Sequence, residues 1–530
     1  MMTKEKRFSF ENVVFSTCVL ISFVMMCCLM YGCFFNSIMS DETFTLYIIN
    51  DGYIDIVVNT VQDVHPPMFY FILKFFVDVF MILFPMANKI VLAKLISFSS
   101  VVILFYFLVF VASKKFPKVV VGLSLLLIFC LGSLNEFSIT FRMYGFSMLF
   151  IVLCFYYAVD YVKTNNQKDV KWLILYFELA ALSHYFALMA VAGILVFLIC
   201  YSLIFERKRF WDMFKCEFYS VLFYVPWLVV LCCQFAYLSA YGYWIPEVSV
   251  GKVVTIFEYV FTPKLFGGVN QTISAFVLMG VYLLVALVNM LNKKIDKYQK
   301  FVALLGIFVM FFVIGVGLFV SILITPIFVE RYTIPSLFVL YFSVVYNFYL
   351  LFSTLFADVF EKIARKLKAN KDLIKKCLEV SVCLMIVVGF SVYGFFNISK
   401  AIKHEKFLNE NYNYMMNYFA SIKDDADIVL SDDGALQHPI EYQTNQFIYG
   451  LKGKSVSWWE NITGVNHPLL TFDDVKEQLL QGKNVYFVER QFDLSELEKY
   501  GLEAVLDGSF EIEQQWLTTY HVDVYKIKLA

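Results

Sequence analysis

Two acidic residues, Asp41 and Glu42, follow the first long apolar stretch of the chain almost at once. A charged side chain at the centre of a membrane helix costs about 2.5–3.5 kcal/mol, so the pair is expected at the membrane surface. Chemistry on a lipid headgroup would take place there. Ser40 before the pair also fits the N-cap of a short helix that begins with two acids. That structural interpretation does not exclude a chemical role.

A second group of candidates combines positive charge with imidazole rings. Arginines beside predicted outer loops are less expected, because Lys and Arg accumulate in cytoplasmic loops. A guanidinium group matches phosphate oxygens bidentately, so two outer arginines and a histidine suit a phosphate. The candidates are Asp63 and His65, which precede Pro66-Pro67, Glu136 and Arg142 with Tyr144, His184 before Tyr185, and Glu330-Arg331-Tyr332.

Each of these motifs also has a structural interpretation. Pro66 and Pro67 fit the first turn of a helix. Arg142 can extend its charge to the interface beside Tyr144, and His184 fits the aromatic belt at the headgroups. A shared function of these residues therefore requires that the chain bring them to one place.

Composition defines the class of protein that positions them. The chain has 530 residues, 60% of them hydrophobic and 16% charged, and its mean hydropathy is +0.69. Apolar stretches of about 18 residues or more recur along it, each long enough to cross about 30 Å of hydrocarbon. A polytopic α-helical membrane protein is predicted. The net charge of −1 indicates no nucleic acid partner, and the cysteines lack the spacing of zinc ligands or of a disulfide framework.

About eleven spans follow if the basic clusters mark cytoplasmic loops. The loops alternate cleanly only if segment 66–84 lies in the outer interface instead of crossing, as Lys74 and Asp78 on one helical face favour. Juxtamembrane helices are expected at about 41–60 and 66–84, and all the candidate residues then collect at the outer face. The expected spans are 13–35, 90–112, 119–135, 142–161, 172–185, 187–205, 216–235, 272–291, 301–323, 332–354 and 377–398.

The composition becomes that of a water-soluble domain near residue 399. Strand-like runs at 427–431, 485–489 and 522–527 alternate with helical patterns at 473–480 and 494–499. This alternation predicts a small α/β domain at 399–530, which follows a membrane module at 1–398. The topology places that domain outside the cytoplasm.

The order and spacing of the motifs resemble the C-type (GT-C) membrane glycosyltransferases, in particular the branch with protein O-mannosyltransferases and aminoarabinose lipid A transferases. The resemblance covers about the first 340 residues. Some members have Lys at the position of His65. The matching residues are Asp41-Glu42, His65-Pro66-Pro67-Met68-Phe69-Tyr70, Arg142-Met143-Tyr144, and Arg331-Tyr332 with Pro335.

The resemblance implies transfer of a hexose or pentose from a polyprenyl-phosphate donor to an acceptor hydroxyl, with inversion. The acceptor class stays open between lipid, polysaccharide and protein. Asp41 would be the catalytic base and Glu42 an orienting or metal-contacting partner. No cofactor is certain, and a divalent metal is left open. The donor phosphate would bind His65, Arg142, Arg331 and Tyr144, and further substrate contacts would come from Asp63, Glu136, His184 and Tyr332.

Two other classes of protein fit parts of the pattern. A transporter or flippase for lipid-linked sugars also needs many spans and cations for a phosphate, but its ionisable groups are expected near the membrane midplane. A non-catalytic anchor for the outer domain would need only one helix. The sequence therefore favours an enzyme with an extracytoplasmic active site in a bacterial plasma membrane.

Overall fold

The computed structural model describes residues 10–38, 40–241, 245–262, 269–356, 359, 371–452, 468–490, 492–514 and 518–530. The chain divides into two compact units. The first unit consists of the N-terminal segment up to Tyr31 with Val64–Phe69 and Leu95–Ala401. The second unit consists of Gly32–Asp63, Tyr70–Lys94 and Ile402–Ala530. The segment that carries Asp41 and Glu42 therefore belongs to the same compact unit as the C-terminal residues.

Helices dominate the described residues. Short 3-10 helices cover Tyr31–Phe34, Ala112–Lys114, Arg207–Arg209, Glu330–Thr333 and Leu494–Tyr500, and a π-helical turn covers Phe352–Phe356. The α-helices up to residue 422 are α1 (Phe10–Met30), α2 (Ser40–Asn50), α3 (Tyr53–Gln62), α4 (Met68–Leu83), α5 (Lys89–Phe110), α6 (Lys118–Cys130), α7 (Gly132–Ser138), α8 (Tyr144–Thr164), α9 (Gln167–Ala181), α10 (Tyr185–Phe205), α11 (Phe210–Tyr241), α12 (Val250–Phe261), α13 (Val269–Leu291), α14 (Lys297–Leu323), α15 (Ile334–Leu351) and α16 (Lys371–Ile422).

The predicted polytopic membrane fold is confirmed. Within the described residues, nine helices are long and apolar enough to cross a membrane, and ten spans result if α6 and α7, bent by 74°, are one. The expected span 172–185 is α9, which has 15 residues and is about 22 Å long, less than the hydrocarbon thickness of about 30 Å. Segment 66–84 forms α4, whose 16 residues are also fewer than a span requires.

Close contacts and polar side chains join α13, α14 and α15 inside the first unit. A Cβ added at Gly306 would lie 1.9 Å from the carbonyl oxygen of Val339, and the Gly306 N–H donates to Ser343 Oγ at 3.0 Å. Asn289 Nδ2 donates to Asn347 Oδ1 at 3.0 Å. Small residues and interhelical hydrogen bonds hold membrane helices together where lipid supplies no hydrophobic driving force. These three helices therefore form a fixed frame next to the turn that contains Arg331.

The second unit contains a six-stranded sheet. Its strands are β1 (Ile428–Ser431), β2 (Ile448–Leu451), β3 (Leu469–Leu470), β4 (Val485–Glu489), β5 (Leu502–Gln514) and β6 (Thr518–Leu529), in the order β3-β2-β1-β4-β6-β5. The first four strands are parallel and the β5–β6 hairpin is antiparallel. Helices α17 (Gly434–Thr444) and α18 (Phe472–Leu480) follow β1 and β3. The small α/β region predicted for the C-terminal part is confirmed.

Helix α2 packs against α17 within this unit. The ring centroid of Tyr47 on α2 lies 5.7 Å from that of His438 and 5.8 Å from that of Tyr442. Burial, with the nearby charge of Glu441 and the Tyr442 phenol, raises the pKa of Tyr47 to about 12. Tyr47 therefore stays a neutral aromatic contact between α2 and the C-terminal α/β region.

Candidate active site

His184 lies in the turn between α9 and α10 and is 3% exposed. Its Nδ1 accepts a hydrogen bond from the backbone N–H of Phe186 at 3.1 Å, so the residue caps the N-terminus of α10. Because Nδ1 is the acceptor, the neutral ring carries its proton on Nε2. His184 can therefore offer one N–H donor to a bound group.

The segment that contains His65 is fixed to the same turn. The backbone N–H of Met68 donates to the carbonyl of Leu182 at 2.9 Å, two residues before His184. The two imidazole centroids are 6.3 Å apart. Pro66 and Pro67 are buried directly before α4 begins. The prolines therefore set where α4 starts, while His65 remains partly exposed beside His184.

Two tyrosines predicted as site residues contact the His184 ring. The centroid of Tyr144, at the start of α8, lies 5.6 Å from it, and that of Tyr332 lies 5.2 Å from it. The Arg331 guanidinium carbon is 5.8 Å from the Tyr332 ring centroid, within the range of a cation–π contact. Residues far apart in sequence therefore meet at one place in the first unit.

The electrostatic surroundings of His184 are positive. Burial lowers the pKa of His184 well below its ordinary value, and the charges of His65, Arg142 and Arg331 lower it further. Arg142 itself is only 3% exposed. His184 is therefore neutral at pH 7.

Tyr259 on α12 also belongs to this neighbourhood, although no sequence motif marked it. Burial raises the pKa of Tyr259 well above its ordinary value, and it interacts with Ser133 and with the charges of Glu136 and Arg331. The phenol therefore stays protonated at pH 7 and can donate a hydrogen bond. Glu136 is partly exposed and is the acidic member of the predicted set in the first unit.

An apolar cavity, partly open to solvent, lies beside these residues within the first unit. His65, His184 and Tyr332 line it together with side chains of α10 and α11. Tyr185 and Gln234, two further lining residues, are hydrogen-bonded to each other. A chamber with a few polar groups and mostly apolar walls is typical of a ligand site.

The remaining predicted residues, Asp41, Glu42 and Asp63, belong to the second unit. Asp41 is partly exposed and Glu42 is 2% exposed, both in the first turn of α2. Asp63 follows the last residue of α3, is 3% exposed, and donates its backbone N–H to the Asn59 carbonyl at 3.1 Å. In the structure, then, the cationic candidates surround His184, and the acids of α2 and α3 lie in the second unit.

Lys94 was not among the residues predicted from the sequence. It lies in the second turn of α5, is fully buried, and forms an ion pair with Glu405, Nζ to Oε2, at 3.0 Å. Its charge also interacts with Glu42. A signal was available, because Lys94 falls inside the expected span 90–112, and an ionisable residue within a span indicates a functional site.

Across the part of the chain that the structure describes, no group of three or more His, Cys, Asp or Glu side chains is placed to hold a metal ion.

Comparison with solved structures supports this polytopic membrane fold. Two solved structures that share it are both of ArnT from Cupriavidus metallidurans. The apo form has a TM-score of 0.54 and 11% identity, covering 96% of this chain and 97% of that chain. The form bound to undecaprenyl phosphate has a TM-score of 0.51 and 10% identity, covering 97% of each chain.

No protein-family model matches the sequence, and no curated protein matches it. At such low identity the likeness to ArnT establishes the fold. The predicted resemblance to the aminoarabinose transferase branch is thereby confirmed for the architecture.

Proposed function

We propose that this chain is a membrane glycosyltransferase that moves a sugar from a polyprenyl-phosphate donor to an acceptor hydroxyl. The observation that carries the proposal is the positive surroundings of the buried His184, to which His65, Arg142 and Arg331 contribute. Guanidinium groups bind phosphate oxygens bidentately and keep their charge at every physiological pH. ArnT, which has the same fold, binds undecaprenyl phosphate.

The donor would be held by its phosphate and by its lipid chain. The phosphate would contact the arginines, the Nε2–H of His184 and the His65 ring. The apolar cavity beside His65 and Tyr332 suits the isoprenoid chain, because apolar surface is removed from water there. Tyr144 and Tyr259 would supply further contacts, and Glu136 would limit the net charge.

Bond cleavage at the donor creates negative charge on the leaving phosphate. Polyprenyl phosphate is an anionic leaving group, so it needs positive charge more than it needs a proton. Donors fixed in advance where charge develops lower the barrier, because they need no reorganisation during the reaction. A neutral His184 with Nε2–H, beside two arginines, can fill that role.

The acceptor hydroxyl must lose a proton as it attacks. Asp41 would accept that proton while the acceptor oxygen forms a bond to the anomeric carbon and the bond from that carbon to the phosphate oxygen breaks. A single displacement inverts the anomeric configuration. Glu42, buried beside Asp41 in the first turn of α2, would orient the base.

This reaction belongs at the extracytoplasmic face of a bacterial plasma membrane, with α2, α3 and α4 as juxtamembrane helices. Side chains of α3 and α4 support the placement, since Ile54, Phe75 and Ile82 are exposed apolar groups. Such faces are stable where headgroups meet acyl chains. The residues from Ile402 onward would then lie outside the cytoplasm.

Turnover by the purified chain in lipid nanodiscs tests the proposal. Undecaprenyl phosphate carrying different hexoses and pentoses is offered with extracted cell-envelope acceptors, and release of free undecaprenyl phosphate is measured. We expect release with at least one sugar, and an inverted anomeric configuration in the product by NMR. Asp41→Asn should reduce the rate at least about 100-fold, as loss of a general base does.

Asp51→Asn is the matched control, because Asp51 lies just after α2 and is exposed; its rate should equal that of the unaltered chain. Translocation of the intact donor across the bilayer without cleavage would contradict the proposal and support a flippase. Full turnover by Asp41→Asn would remove Asp41 from the role of base.

A further inference from the structure

The environment of Lys94 is a closed group of polar side chains in the second unit. Lys94 Nζ lies 3.0 Å from Glu405 Oε2 and 3.4 Å from Ser37 Oγ. Ser37 Oγ donates to the same Glu405 oxygen at 3.0 Å. Lys94 has no exposed surface, and Glu405 is 5% exposed. A buried ion pair of this kind requires good geometry, because desolvation of both charges opposes it.

These contacts fix the segment that leads into α2. Ser37 and Asn36 precede the helix by a few residues, and both contact α16. The backbone N–H of Asn36 donates to Asn409 Oδ1 at 2.7 Å, one helical turn after Glu405. Glu405 and Asn409, on one face of α16, therefore hold the segment that leads into α2, whose first turn contains Asp41.

Glu42, in the first turn of α2, belongs to the same electrostatic neighbourhood. It is 2% exposed, and its charge interacts with the Lys94 ammonium and with Cys33. The hydrogen-bonded partners of Lys94 are Glu405, on α16, and Ser37, which precedes α2. Without the cation, the buried Glu405 carboxylate would lose its ion-pair partner, which is strongly unfavourable.

We propose that Lys94 is a positioning residue that, through Glu405 and Ser37, holds the segment leading into α2 and with it the first turn of that helix. This inference rests on the proposed function, because the position of α2 matters to catalysis only if Asp41 is the base. A displacement of about 1 Å at a reacting group can reduce a rate 100-fold. Lys94 would then act on kcat through the segment that leads into α2, without contact with the donor.

A purely structural ion pair is the alternative. Replacing both members of a buried pair by neutral groups often leaves stability unchanged, whereas removing one member costs much more. The double variant Lys94→Met/Glu405→Gln should therefore fold as well as the unaltered chain, even if Lys94→Met alone does not. If the pair is only structural, the double variant also regains its activity.

The test measures kcat, the donor KM and undecaprenyl phosphate binding in nanodiscs for both variants, beside the unaltered chain. We expect kcat to fall by about 30-fold or more in the double variant, with donor KM and undecaprenyl phosphate affinity within about threefold. Lys406→Met is the matched control, since Lys406 is exposed beside Glu405 on α16; its kcat should stay within about twofold.

The outcomes separate the two proposals. A kcat near that of the unaltered chain in the folded double variant overturns the role of Lys94 and leaves the transferase proposal intact. A parallel loss of kcat and undecaprenyl phosphate affinity also overturns it, because the effect is then not confined to α2. If the unaltered chain itself shows no turnover, the proposed function fails and the role of Lys94 fails with it.

Discussion

Two buried residues, His184 in the first unit and Lys94 in the second, have opposite surroundings. His184 is near two arginines and a second histidine, which drive protons away from it. Lys94 is near two carboxylates, one of which is bonded to it at 3.0 Å. Lys94 thus has an ion-pair partner within the protein itself. The charges that lower the pKa of His184 are positive, and under the proposed function the donor phosphate binds beside them.

The contrast indicates a division of tasks. Under the proposed function, the first unit binds the donor phosphate, and the second unit supplies the base and holds it in position. Substitutions should then change donor affinity in one unit and kcat in the other. The following predictions test that division, beginning with the largest effect.

Loss of both arginines should affect donor binding most. A charge-assisted hydrogen bond contributes about 1.5–3 kcal/mol, so Arg142→Met/Arg331→Met should weaken undecaprenyl phosphate binding at least about 100-fold. Each single substitution should weaken it about tenfold or more. Titration of the protein in nanodiscs with undecaprenyl phosphate measures the affinity.

Arg207→Met is the control for this series, because Arg207 is an exposed arginine of the same unit and its Nε binds a backbone carbonyl of its own turn. Its affinity should match that of the unaltered chain. Equal affinities for Arg207→Met, for the two single variants and for the double variant would contradict the division of tasks, since the first unit would then not recognise the phosphate through these cations.

The stability of the frame that α13, α14 and α15 form should be sensitive to a substitution at Gly306. A methyl group there would meet backbone atoms of α15 at 1.9 Å, and backbone cannot rotate aside. Gly306→Ala should therefore lower the free energy of unfolding by about 1–3 kcal/mol. Thermal unfolding in detergent measures the change.

Gly315 lies on the same helix, and a Cβ there would meet nothing within 4 Å. Gly315→Ala should leave stability unchanged or raise it slightly, since Ala favours helix over Gly by about 1 kcal/mol. If both variants unfolded at the same temperature, the close approach of α14 and α15 would not hold the frame.

The pH dependence of stability should give the smallest effect. Because the pKa of His184 is lowered in the folded chain, the unfolded chain binds a proton that the folded chain does not, from the ordinary pKa near 6.5 downward. The stability that His184 contributes is thus fully present above about pH 6.5 and is lost as the pH falls below that value. Between pH 7.5 and 5.5 the contribution is about 1 kcal/mol.

His184→Gln should remove this contribution, so that its unfolding temperature depends less on pH than that of the unaltered chain. The control is His521→Gln, whose histidine is exposed on β6 and which should keep the pH dependence of the unaltered chain. Parallel curves for His184→Gln and the unaltered chain would show that His184 is protonated equally in both states.

The membrane architecture could be predicted because hydrophobic length is a local property of the sequence. Each expected span from 13–35 to 377–398 corresponds to a helix in the structure or, for 119–135, to the bent pair α6 and α7. Helix α9 is too short to count as a span. Strands such as β4, at Val485–Glu489, could be predicted from the same kind of local pattern. Their order in the sheet depends on contacts between distant segments, which a single sequence does not reveal.

The site could be predicted only where motifs stand out. His65, His184 and Tyr332 were found because charged or aromatic residues are conspicuous beside apolar spans. Tyr259 was missed because tyrosine is common in this chain, and nothing local distinguishes it. Lys94 was missed although it lies inside an expected span. Its partner Glu405 follows 311 residues later, and only the fold brings the two together. The catalytic and binding roles remain predictions.

The contact between Ser37 and Glu405 also has a consequence for biosynthesis. The two residues are 368 positions apart, so a ribosome needs about 20–70 s to make the chain between them at 5–20 residues per second. During that interval, helices of the first unit can insert while α2 waits for α16. The contacts that fix the segment before α2 therefore form late. A nascent chain that stops before Ile402 would contain the membrane helices but would lack the contacts of Glu405.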